Sequence, residues 1–102
     1  MSDPDEIRPF DALTIPPQAL EQGGVEVLRA AIVNEGLHVS LRRAFDDPEA
    51  WGMLLADVAR HAARVFAREK DVREDDALDR IRNMFDAELD MPTDMGSTTP
   101  IS

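Results

Sequence analysis

The sequence has no cysteine and no tyrosine, and only one tryptophan, four phenylalanines and two histidines in 102 residues. Without cysteine there is no disulfide to staple a small core and no thiolate for a metal site. Nucleic-acid binding asks for aromatic platforms in a basic groove. This chain has few aromatics and a net charge of −10, so no nucleic-acid partner is expected. No apolar run nears the ~18 residues of a membrane helix. The polar, acidic start Met1-Ser-Asp-Pro-Asp-Glu6 lacks the basic and apolar regions of a secretory signal. A cytoplasmic protein without a membrane partner is expected. There is no glycine-rich phosphate loop, no nucleophile elbow and no familiar metal-ligand spacing. These absences favour a protein with no cofactor and no catalytic residue over an enzyme.

What is present suits one small α+β domain. Apolar residues make up 43% of the chain, enough for a modest core. Cores of this size are marginal without a staple, and self-association is the one left. The acidity is concentrated at the two ends. Residues 1–28 carry one Arg against six acids, and residues 71–102 three Arg against nine; residues 29–70 are close to neutral. Solubility is the plainest reading of such a surface.

Residues 1–24 hold Pro4, Pro9, Pro16, Pro17 and Gly23-Gly24, which preclude a long helix. Phe10, Leu13, Ile15 and Leu20 are spaced as if one side were buried. An extended arm lying over part of the core is expected, with a β-like stretch at 12–15. Val25 to Val33 reads as a first strand. Leu37, Val39, Leu41 and Phe45 alternate as a second, and Asn34-Glu35-Gly36 marks the turn between them. A three-residue loop with Gly36 in the left-handed region pairs Val33 with Leu37 and Arg29 with Leu41. That register sets Arg29 and Arg43 on the mainly apolar face. A two-residue loop at Glu35-Gly36 instead sets Leu28, Ala30 and Ile32 on the face of Val39 and Leu41, but asks Glu35 for a positive φ.

Asp47 is a helix N-cap and Pro48 the first helical residue. The helix should run to about Arg68 with a stripe of Trp51, Leu54, Leu55, Val58, Ala62, Val65 and Phe66. A second line is small: Gly52, Ala56, Ala59, Ala63 and Ala67. Asp71-Val-Arg-Glu74 looks like a capping box opening a second helix that Pro92 ends. The short link implies an antiparallel pair. The expected fold is an antiparallel β-hairpin followed by two antiparallel α-helices packed on one face. It comprises an arm over 1–24, a ββαα domain over 25–91 and a disordered tail over 92–102.

Glu26-Val-Leu-Arg-Ala30 and Phe45-Asp-Asp-Pro-Glu-Ala-Trp-Gly-Met-Leu-Leu-Ala-Asp-Val-Ala-Arg-His61 resemble a family of small bacterial proteins of unknown function, mainly alphaproteobacterial. The resemblance runs from Glu26 to about Ala67. It implies a bacterial cytoplasmic setting and transfers no activity.

The candidate ligand- or anion-binding residues are Arg29, Arg43, Asp57 and His61. Asp57 stands one helical turn before His61, a spacing that lets a carboxylate orient an imidazole. Arginines on an apolar face could hold a carboxylate or phosphate. A small ligand-binding domain or enzyme using these four is the alternative to the main expectation. That main expectation is a non-catalytic interaction or regulatory module, a homodimer through its hairpin, with a second protein as a possible further partner.

Overall fold

A computed structural model describes residues 9–93 and 96–101. The chain is α+β, a three-stranded mixed sheet with helices. In chain order the elements are α1 (Pro17–Gln22), β1 (Leu28–Val33), β2 (Gly36–Arg42), α2 (Pro48–Glu69), α3 (Glu74–Asp90) and β3 (Ser97–Ile101).

β1 and β2 form the expected hairpin, but in a different register. Val33 pairs with Gly36 and Ile32 with Leu37, so the loop is two residues, Asn34-Glu35. Both take positive φ, 50° and 69°, as in the turns whose twist matches a hairpin. The three-residue loop with Gly36 left-handed is therefore corrected: Gly36 is the first residue of β2, and Glu35 adopts the conformation it disfavours. Arg29 pairs with Ser40, not Leu41. Side chains alternate between faces along a strand. Leu28, Ala30 and Ile32 thus join Leu37, Val39 and Leu41 on a face free of charge. Arg29 lies on the opposite face with His38, Ser40 and Arg42. Arg43 lies beyond the end of β2. The placement of both arginines on the apolar face does not hold.

A third strand replaces the expected disorder over part of the tail. β3 runs parallel to β2, and the strand order is β1-β2-β3. Its sequence Ser-Thr-Thr-Pro-Ile has no strand-like apolar alternation. Pro100 lacks a backbone donor and fits only because β3 is an edge strand. The His38 ring Nδ1 is bonded to the Ser97 hydroxyl across the pair. Residues 94, 95 and 102 of the tail lie outside the described residues, as do the first eight residues of the arm.

The first long helix matches its expected span. Asp47 is its N-cap residue, Pro48 opens it and it ends at Glu69. The Asp47 side chain makes no capping bond. The capping box at Asp71 does not form: α3 starts at Glu74 with Arg73 as N-cap residue. Glu74, Asp75 and Asp76 occupy its first turn, where negative charge meets the positive end of the helix dipole.

α2 and α3 pack on each other through small residues. Ala63 is fully buried and Ala77 is 5% exposed; no other described residue is buried. Of the small line of α2, Ala63 is buried and Ala59 half-buried, while Gly52, Ala56 and Ala67 are exposed. Arg64 reaches across to Glu74 at 4.0 Å.

The expected packing of the helices on the sheet is absent. No strand Cα comes within 8 Å of a helix Cα. In the link between β2 and α2, Phe45 meets Trp51 of α2 edge to face, ring centres 5.8 Å apart at 75°. The arm also departs from expectation. It is irregular over 9–16 and then forms the short α1, and Leu13 is 95% exposed. Its described residues do not cover the core; Phe10 touches the hairpin, its ring 5.7 Å from the Arg29 guanidinium carbon.

Candidate interaction surface

The largest consequence of this arrangement is apolar surface left open. On the sheet, Ile32 is 72% and Leu37 42% exposed. On α2, Leu55, Val58, Val65 and Phe66 are exposed, and on α3 Phe85 and Leu89. Trp51, Leu55, Val58, Ala62 and Val65 recur at alternating spacings of four and three, which lines them along one seam of the helix. The total accessible surface is 9411 Å², where a compact monomer of this size shows roughly 5,700 Å². The radius of gyration is 16.4 Å, against ~13 Å for a compact 100-residue domain. The hydrophobic effect that drives folding is left unused on both layers.

The polar face of the hairpin carries the best-formed side-chain cluster. Arg29 donates from Nε and Nη2 to the two carboxylate oxygens of Glu26, at 2.8 and 3.0 Å. This fork geometry is specific to arginine. The bonds hold the Glu26 carboxyl below the usual glutamate range and raise the Arg29 guanidinium. Partial desolvation opposes both shifts and is outweighed. Arg42 Nε donates to the Glu26 carbonyl at 3.3 Å. These groups border an open recess of about 100 Å³ at the end of the sheet where β1 begins and β2 and β3 finish.

The four candidate residues are dispersed. Arg29 is engaged by Glu26. Arg43 is highly exposed and lies 4.0 Å from Asp46. Asp57 faces Arg60 at 3.7 Å. No hydrogen bond or ion pair joins Asp57 to His61 among the described residues. Nothing brings the α2 pair to the hairpin arginines, because the two layers stand apart. Sequence reasoning missed Glu26 and Arg42 as the partners of the cluster. The spacing Glu26-x-x-Arg29 was the available signal, but its meaning depends on the register. Among the described residues, no group of three or more His, Asp or Glu could hold a metal ion. No described helix is long and apolar enough to cross a membrane.

The fold and surface define an α+β chain whose sheet and helices each present an uncovered apolar face. Residues 12–93 match the family model described as domain of unknown function (DUF5076), and the chain belongs to that family. A solved structure from the photosynthetic bacterium Rhodopseudomonas palustrus CGA009 is similar, with 45% identity and a TM-score of 0.71. The match covers 94% of this chain and 100% of that one. That protein is provisionally named a pyruvate dehydrogenase. No curated protein matches.

Proposed function

We propose that the protein is a non-catalytic interaction module that works as a homodimer. The observation that carries this is the charge-free sheet face from Leu28 to Leu41, which no helix of the same chain covers. Patches of this kind mark association surfaces. Relative to a compact monomer, each chain exposes roughly 3,700 Å² of extra surface, the open arm included, or about 7,400 Å² for two copies, more than the roughly 2,000–5,000 Å² that obligate homodimers bury in total. The free edge of β1 adds backbone groups able to pair with another strand. The arm, with Phe10, Leu13, Ile15 and Leu20 exposed, is available to the partner copy or to a second protein.

The alternative, a small ligand-binding domain or enzyme using Asp57, His61, Arg29 and Arg43, has weaker support. Three of the four face a neighbouring side chain of opposite charge, and the recess beside Arg29 contains neither Asp57 nor His61. The name of the Rhodopseudomonas protein lends this chain no residue with a role.

Light scattering over a dilution series tests the reading. A mass of twice the chain's that persists into the low micromolar range is expected. A monomer throughout would overturn it.

A further inference from the structure

Resting on the homodimer reading, we infer that the two copies exchange their helices: the α2 seam of each lies on the apolar sheet face of the other. Three features lead there. First, β2 and β3 are parallel neighbours joined through α2 and α3. Helices in such a crossover ordinarily cover the sheet they connect. Here they stand off it, so the sheet lacks its usual cover and the helices their usual bed.

Second, the two surfaces match in chemistry. The sheet face offers Leu28, Ile32, Leu37, Val39 and Leu41 with no charge among them. The seam offers Trp51, Leu55, Val58, Ala62 and Val65. Each is apolar and no better than half-buried within its own chain, with Ile32, Leu37, Leu55, Val58 and Val65 exposed. Ridge-on-sheet contact between copies covers both with one two-fold operation, and each copy gives and receives the same patch. Seam-to-seam pairing of two α2 helices would leave both sheet faces open.

Third, the connection permits it. Five residues, Arg43 to Asp47, link β2 to α2. Asp47 has the extended backbone usual for an N-cap residue, φ −104° and ψ 133°, and no Cα of the helix it opens comes within 8 Å of a strand Cα. A short link that directs an element away from its own core is the usual route to exchange between protomers.

The absence of native cysteine makes the test direct. Single variants are made on the sheet face (Ile32→Cys, Val39→Cys) and on the seam (Leu55→Cys, Val58→Cys). Each is checked for dimer mass, then mixed pairwise, allowed to re-equilibrate and treated with a short bis-maleimide. Exchange predicts a cross-linked product of twice the chain mass when a sheet variant meets a seam variant. It predicts little product from a seam variant alone. Self-linking of Val58→Cys as the main product would overturn exchange in favour of helix pairing. So would a dimer that gives no sheet-to-seam product at any pair of positions. In the double variant Ile32→Cys/Val58→Cys, linkage within one chain at monomer mass would also overturn it. A monomer by light scattering removes the homodimer reading itself, and the two failures are thereby told apart.

Discussion

Arg29 holds Glu26 by both carboxylate oxygens while its guanidinium lies over the ring of Phe10. One side chain thus ties Phe10 of the arm to Glu26, two residues before β1. Removing the fork with Arg29→Gln should let the Glu26 carboxyl titrate at a higher pH. The pair's contribution is present above the unfolded-state value of Glu26 and is lost as pH falls through its lowered folded value. A carbon-detected NMR titration of Glu26 in the two proteins reads the shift. An unmoved midpoint would show that the fork does not persist in solution.

Glu35 sits at φ 69°, where a side chain costs roughly 1–2 kcal/mol that glycine avoids. Glu35→Gly should therefore stabilise the hairpin by about 1 kcal/mol and raise the urea midpoint at fixed protein concentration. A lower midpoint would count against the two-residue turn.

A Cβ on Gly96 would collide with the carbonyl oxygen of Leu37, and Gly96 itself has φ +58°. Gly96→Ala should detach β3 while leaving the β1–β2 hairpin paired. Hydrogen exchange at Thr99 and Ile101 should quicken, with amides of the β1–β2 ladder such as Ala31 and Val33 much less affected. Uniform loss of protection would mean that β3 is not a separable unit.

Ala63 has no exposed surface and stands where α2 meets α3. Ala63→Leu should force the helices apart at a cost of about 1–3 kcal/mol. Ala56→Leu on the same line is exposed and should cost under ~0.5 kcal/mol. Thermal unfolding followed by circular dichroism at matched concentration compares them.

Each copy carries a charge of −10, so association brings like charges together. Raising the salt concentration should tighten the dimer, because screening weakens that repulsion while the apolar contact is kept. Sedimentation at low and half-molar salt reads the change. Weakening by salt would point to an interface held by ion pairs instead.

Much of this architecture was legible because it is written in local periodicity. Asp47-Pro48 fixes the start of α2, and the alternation from Leu37 fixes β2. The register was not legible, since it turns on whether Glu35 accepts a positive φ, and that is decided by pairing along the whole hairpin. β3 was not legible either. Ser97-Thr-Thr-Pro-Ile101 is a strand only because β2 offers an unpaired edge and Gly96 allows the backbone close to Leu37. The candidate residues failed to converge for a related reason. His61 and Asp57 belong to one layer and Arg29 to the other, and the distance between layers is a tertiary property with no sequence period.

The His38–Ser97 bond spans 59 positions of the chain. Closing so long a loop costs more entropy than closing the two-residue turn, and parallel pairing repays it only once both strands are present. The hairpin is therefore the local part of the sheet and the β2–β3 pairing the costly one. β3 follows both long helices in the chain, so the edge of β2 that it covers has no strand of its own chain to pair with until they have been made. During that interval the edge of another chain's β2 is as good a template as β3 will be. The polar, proline-bearing β3 closes this window, leaving a finished sheet whose outer strand is a poor invitation to further strands.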